Sequence, residues 1–188
     1  MDPTFLNDAA RALHLFGLAL GFGTAIVADL SAARLVVRPL DAREIATLVR
    51  FHRMVAIGLA AFWASGLVLL WLRTGFDPAN FSAKLMAKLG VVTLLTVNAF
   101  LIGRVGLPAL QAFASRRFGT YPAPLRMQLS LLGALSTAGW IAALALGVFS
   151  QLKTMPWSVL SELIGTIYLV AILGAFAATA LAPLIDSL

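Results

Sequence analysis

Five long apolar stretches follow one another along the chain, with only short polar segments between them. They cover roughly residues 9–35, 45–72, 83–110, 125–151 and 157–183. An α-helix rises about 1.5 Å per residue, so about 20 apolar residues cross the ~30 Å hydrocarbon core of a bilayer. The sequence therefore predicts an all-α, polytopic membrane bundle of about five transmembrane helices. Residues 1–188 would form this single integral membrane domain.

Composition supports a membrane protein and excludes several other classes. The chain is 61% hydrophobic and 12% charged, whereas soluble domains average about 45–50% apolar and about 25% charged residues. It has no cysteine, which excludes disulfides, thiolate metal ligands and cysteine nucleophiles. The N-terminus, MDPTFLND, lacks the basic region of a signal peptide, so the first apolar stretch is expected to be a membrane span.

The distribution of lysine and arginine predicts the orientation of the bundle. Nine of these residues flank the loops after the first and third helices: Arg34, Arg38, Arg43, Arg50, Arg53, Arg104, Arg116, Arg117 and Arg126. Five lie toward the other side: Arg11, Arg73, Lys84, Lys88 and Lys153. Because basic residues accumulate on the cytoplasmic side, we expect the N-terminus outside and the C-terminus in the cytoplasm of a bacterial inner membrane. The net charge of +6 is thereby explained without a nucleic-acid partner.

Helix-capping residues mark several boundaries. Asp41 followed by Glu44 has the spacing of a capping box before the second helix. Asn80 or Ser82 can cap the third helix, and Pro156 suits the first turn of the fifth.

A weak internal repeat relates the first two helices to the next two. Asp29 precedes Pro39 by ten residues, and Asn98 precedes Pro108 by the same distance. In the second and fourth helices, Arg53-Met54 corresponds to Arg126-Met127. Gly66 corresponds to Gly139 at the same separation along the chain. The pattern predicts a parallel repeat of helices 1–2 and 3–4, with chance similarity of apolar helices as the alternative.

One of only two histidines stands at the head of a face of small residues in the first helix. His14 is followed at helical spacing by Gly17, Gly21, Ala25 and Ala28. One interpretation is close packing against another helix. The second is a haem or other tetrapyrrole lying on the glycine face, with His14 as axial ligand and Gly17 and Gly21 lining the slot. A bare metal ion on His14, such as copper, is a third.

Two polar residues lie near the inner end of the bundle. His52 opens the second helix, so the length of the first helix separates it from His14 and the two cannot bind one haem. An interfacial role and a second cofactor both stay open for His52. Asp29 is expected to pair with Arg34 or Arg104.

The third helix carries two lysines one turn apart, Lys84 and Lys88, with Asn98 near the same face further in. Lys84 is expected to extend to the outer headgroups. Lys88 starts deeper, and it would either pair with Glu162 or bind carboxylates of a ligand, such as haem propionates.

Short motifs in the first and third helices resemble HemJ-type protoporphyrinogen oxidases and the related CopD-type membrane proteins. They are ALH and ARLVV in the first helix and AKLGVVTLLTVNAFLIGR, residues 87–104, in the third. The resemblance implies a small helical membrane protein that binds haem b and oxidises protoporphyrinogen. It also implies functional roles for His14 and Lys88, which match the family's first-helix histidine and third-helix lysine. This chain departs from the family in having a fifth helix, and Asn98 where a histidine is often found.

The sequence thus predicts a haem-b-binding membrane protein acting in electron transfer or porphyrin oxidation, with the lipid bilayer and a tetrapyrrole as partners. Lys84, Lys88 and Asn98 are its further candidate cofactor contacts. The first alternative is a copper or other metal-handling protein, although Met86 and Met155 form no Met-x-x-Met cluster. The second is a non-catalytic subunit of a homo-oligomer or larger membrane complex, whose glycine faces would bind its partners.

Overall fold

The computed structural model of the chain describes residues 2–187. Met1 and Leu188, the two ends of the predicted domain, lie outside these described residues. The α-helices are α1 (Pro3–Ala33), α2 (Ala42–Thr74), α3 (Ala83–Leu101), α4 (Leu107–Ala112), α5 (Ala123–Val148) and α6 (Trp157–Asp186). A π-helical turn, Ile102–Gly106, joins α3 to α4, and the described part of the chain contains no β-strand.

Five helical segments are long and apolar enough to cross a membrane: Thr4–Val36, Ala42–Thr74, Ala83–Ala112, Ala123–Val148 and Trp157–Asp186. The predicted all-α bundle of five transmembrane helices is confirmed, and these helices indicate an integral membrane protein. The repeat of helices 1–2 and 3–4 stays a prediction. We call the end of the bundle with the N-terminus and the loops 75–82 and 149–156 the N-side. The opposite end, with the loops 37–41 and 113–122, is the C-side.

Side-chain caps begin α2 and α3 where the sequence places them. The Asp41 carboxylate accepts a hydrogen bond from the Glu44 amide at 2.8 Å, and the Glu44 carboxylate accepts one from the Asp41 amide at 3.0 Å. This capping box confirms the predicted start of α2. Ser82, rather than Asn80, caps α3. Arg38 forms a salt bridge with Glu44, whose hydrogen bonds raise the pKa of the guanidinium.

The third membrane segment is continuous but irregular near its C-side end. Pro108 has no N–H, and its ring would collide with the carbonyl of Arg104 in a regular α-helix. The π turn at Ile102–Gly106 widens the backbone just before the proline and absorbs this conflict. Sequence periodicity did not predict this turn.

Helix α5 is the most buried membrane segment and packs against α1, α3 and α6. The most extensive helix pairing is between α1 and α2, whereas α2 and α3 touch only sparsely. Trp140 of α5 is 2% exposed and fills the centre of the bundle. The sparse contact between α2 and α3 leaves a groove between α2 and the α3–α4 segment toward the C-side.

Candidate functional site around His14

A hydrogen bond from α1 to α2 fixes the imidazole of His14. Its Nδ1 lies 3.0 Å from the hydroxyl oxygen of Ser65, and its ring stacks on Phe62 with centroids 3.9 Å apart. The Ser65 hydroxyl donates to the carbonyl of Ala61 at 2.7 Å, so its oxygen is left to accept from His14. On this ground we assign the proton of a neutral His14 to Nδ1, which keeps the Nε2 lone pair free. Gly66 also lies beside the ring, where a Cβ would make an ordinary van der Waals contact with the imidazole Cε1 at 3.5 Å.

The glycine face below His14 is covered by other parts of the same chain. A Cβ at Gly17 would lie 2.8 Å from the backbone nitrogen of Phe62 and 2.9 Å from the Gly58 carbonyl. A Cβ at Gly21 would collide with the indole of Trp140. The prediction of an open slot for a macrocycle over Gly17 and Gly21 is therefore wrong. Close helix packing, the alternative, occupies the face, which leaves these glycines no surface for a separate partner protein.

Lys88 belongs to the neighbourhood of His14. It is half-buried, and the side chains that act electrostatically on His14 are Lys88 and Arg73. The alternative pairing of Lys88 with Glu162 is not found, since no salt bridge in the described part of the chain includes either residue. Lys88 also donates no hydrogen bond to any residue between positions 2 and 187. It is therefore a cation within electrostatic range of His14 and has no acidic partner among the described residues.

Lys84 has a structural role in place of the predicted one. Its side chain is 6% exposed, and its ammonium donates to the carbonyl of Phe149 at 2.6 Å. Phe149 is the C-cap of α5, where the unpaired carbonyls carry partial negative charge. The expectations that Lys84 extends to the headgroups or binds a cofactor are wrong, because the C-terminus of α5 binds its ammonium.

Asn98 lies in a different part of the bundle from His14. Asn98 is ten residues beyond Lys88, or about 15 Å along the helix. Its amide donates to the Leu132 carbonyl at 3.0 Å, and its buried Oδ1 accepts no hydrogen bond from any described residue. It lines a C-side cavity of about 460 Å³, together with Asp29, His52, Ser136 and Thr137. The prediction that Asn98 shares a cofactor site with His14 is not supported by this arrangement.

Asp29 and His52 face this C-side cavity without charged partners among the described residues. Asp29 accepts a hydrogen bond from the Thr137 hydroxyl at 2.9 Å and pairs with neither Arg34 nor Arg104, contrary to expectation. His52 packs against Gly103, where a Cβ would lie 2.7 Å from its Nε2. The two histidines occupy opposite halves of the bundle, as the depth argument predicted.

The sequence did not single out Ser65, Phe62 or Arg73 as neighbours of His14. Ser65 had a usable signal, because it is the only hydroxyl residue between Met54 and Arg73 in an otherwise apolar helix. A hydroxyl in a membrane helix needs a partner, and here its partner is the histidine.

No bare metal site is built from the usual ligands. Within the described residues, no group of three or more His, Cys, Asp or Glu side chains could hold a metal ion. His14 therefore belongs to no group of three or more such ligands among the described residues.

No protein-family model matches the chain, and no curated protein or solved structure is significantly similar to it. The resemblance to HemJ-type proteins therefore rests on the residue motifs alone and stays a prediction.

Proposed function

We propose that the protein is a haem-b-binding integral membrane protein in which His14 would bind the haem iron. The observation that carries the proposal is the 3.0 Å hydrogen bond between His14 Nδ1 and Ser65. Iron-ligating histidines donate their second ring N–H to a fixed acceptor, which sets the tautomer and leaves the other nitrogen to bind the metal. Ser65 is suited to this role because its own proton is committed to a backbone carbonyl.

Haem is favoured over a copper ion because of the number of ligands that each requires from the protein. Copper needs several ligands from the protein, and the described residues offer no group of three or more His, Cys, Asp or Glu side chains that could hold it. A porphyrin supplies four nitrogens itself and needs one histidine. Since Gly17 and Gly21 are covered, the macrocycle is not assigned to the glycine face.

The charges beside His14 suit the carboxylates of haem b. The charges of Lys88 and Arg73 lie within electrostatic range of the imidazole, and neither residue belongs to a salt bridge among the described residues. In the proposed complex they would bind the propionates, while the stacked ring of Phe62 would hold the imidazole plane. The haem would supply one-electron chemistry, for electron transfer or porphyrin oxidation, and the protein would supply ligation, orientation and a low-dielectric site.

The orientation proposed for this site puts the N-side, and with it His14 and Lys88, toward the outside of a bacterial inner membrane. Its support is the excess of nine basic residues over five in favour of the C-side.

Purified protein supplemented with haem b tests the proposal. We expect a Soret band that saturates at one haem per chain, and no stoichiometric copper in metal analysis of the same sample. A flat Soret region after haem supplementation would exclude the proposed function. Stoichiometric copper would favour metal handling instead.

The Ser65→Ala variant tests how His14 is held. Removing the hydroxyl leaves Nδ1 without its acceptor, so we expect haem affinity to fall about 10- to 100-fold, the usual effect of losing such a partner. The measurement is a haem titration followed by absorbance. Ser136→Ala removes a comparably buried serine from the C-side half and serves as the matched control, with unchanged affinity. Equal affinities for both variants would show that Ser65 does not position His14.

A further inference from the structure

A groove lies between α2 and the α3–α4 segment at the C-side end of the bundle. Its volume is about 630 Å³, and it opens to the surface of the bundle through exposed residues on both walls, among them Ala56, Ala60 and Phe100. We call it the α2–α3 groove. It is separate from the His14 site, which belongs to the N-side half.

Two arginines stand at the mouth of this groove. Arg53 on α2 and Arg104 on the π turn are both exposed and line it from opposite walls. Neither guanidinium forms a salt bridge or donates a hydrogen bond within the part of the chain that the structure describes. Arg104 lies over the ring of Phe100, 5.2 Å from its centroid, which orients its side chain. The mouth therefore presents two positive charges and no acidic residue.

A hydrogen bond closes the far end of the groove. The indole N–H of Trp63 donates to the hydroxyl of Thr96 at 2.9 Å, which joins α2 to α3. Trp63 is ten residues from Arg53, or about 15 Å along α2. This depth is about half of the ~30 Å hydrocarbon core, so the groove has the length of one membrane leaflet.

The walls between mouth and floor are apolar and shallow because their side chains are small. The groove exists because small residues line it, namely Ala56, Ala60, Ala99 and Gly103. Gly103 belongs to the π turn, which places it in the wall. His52 is the one polar side chain just below the mouth, and its ring accepts or donates no hydrogen bond with any residue from 2 to 187.

We propose that the α2–α3 groove binds one anionic phospholipid from the C-side leaflet. The phosphate lies between Arg53 and Arg104, His52 meets the ester region, and one acyl chain runs along the groove to Trp63. Unpaired guanidinium groups at a membrane surface attract anionic headgroups, and the two arginines select these lipids over zwitterionic ones. The binding does not depend on the proposed haem site.

Fluorescence quenching in vesicles tests this proposal. The protein is reconstituted into phosphatidylcholine vesicles that contain a small fraction of phosphatidylglycerol with brominated acyl chains. Bromine quenches indoles in contact with it, so we expect saturable quenching that the Trp63→Phe variant lacks. Brominated phosphatidylcholine at the same fraction should quench much less.

The double variant Arg53→Gln/Arg104→Gln isolates the headgroup contact. We expect its apparent affinity for the brominated phosphatidylglycerol to be about 30-fold weaker, from two lost basic contacts. The matched control is Arg43→Gln/Arg50→Gln, which removes the same charge from exposed positions of α2 outside the groove and should bind like the unchanged protein.

Three results would overturn the proposal. The first is equal quenching by the two brominated lipids, and the second is equal weakening in both double variants. The third is displacement of the lipid by stoichiometric haem b in His14→Ala protein, which would assign the groove to the porphyrin.

Discussion

Replacing His14 with alanine is expected to abolish the Soret band of the haem-supplemented protein. His14 is the only imidazole in the N-side half of the bundle, and its Nε2 is left free by the Ser65 hydrogen bond. Without it no usual haem ligand remains at that site, so the loss of affinity should exceed that of Ser65→Ala. The measurement is absorbance after haem addition to the purified variant.

A structural role for His14 has to be separated from ligation. His14→Ala also removes the stack on Phe62, so elution volume and helix content of the variant should be compared with those of the unchanged protein. Added imidazole should restore a Soret band by occupying the vacated space, a result that packing alone would not give. His52→Ala is the matched control and should bind haem normally. Retention of the band in His14→Ala together with its loss in His52→Ala would move the site to the C-side half.

Gly17→Ala is expected to destabilise the bundle strongly, although it adds only one methyl group. A Cβ at position 17 would meet the backbone of Phe62 and Gly58 at less than ordinary contact distance, and backbone atoms cannot turn aside as a flexible side chain can. Overpacking of this kind costs about 1–3 kcal/mol, occasionally more. The free energy of unfolding in mixed detergent micelles measures it.

Gly23→Ala provides the control on the same helix. A Cβ at Gly23 meets no atom within 4 Å, so the change should stabilise α1 by up to about 1 kcal/mol through helix propensity. The two substitutions are chemically identical, but their effects on the free energy of unfolding should have opposite signs. If both variants have the same stability, α1 and α2 do not pack through Gly17.

The membrane helices could be predicted well because apolar length is a strong signal. The segment Ala42–Thr74 begins at the capping box that Asp41 and Glu44 indicate, and it extends three residues upstream and two downstream of the predicted 45–72 stretch. The π turn before Pro108 could not be predicted, because a proline in a membrane helix can also be accommodated by a kink.

The candidate site could be predicted only in part. Depth along the helices correctly separated His14 from His52, since that argument needs only the helix rise. The role of Lys84 could not be foreseen, because its acceptor is the carbonyl of Phe149, a backbone group 65 residues away. The glycine face was ambiguous for a similar reason: small residues create a groove, but they do not specify whether a helix or a ligand fills it.

The close approach of α1 and α2 has a consequence for how the chain assembles during synthesis. The glycines that allow it, Gly17, Gly21 and Gly58, lie in two helices that are neighbours in sequence, so this hairpin can form as soon as both have entered the bilayer. Trp140, which seals Gly21 from the other side, is translated more than 80 residues after Gly58. The side of the α1–α2 hairpin that Trp140 covers in the final structure therefore stays uncovered until α5 has been inserted.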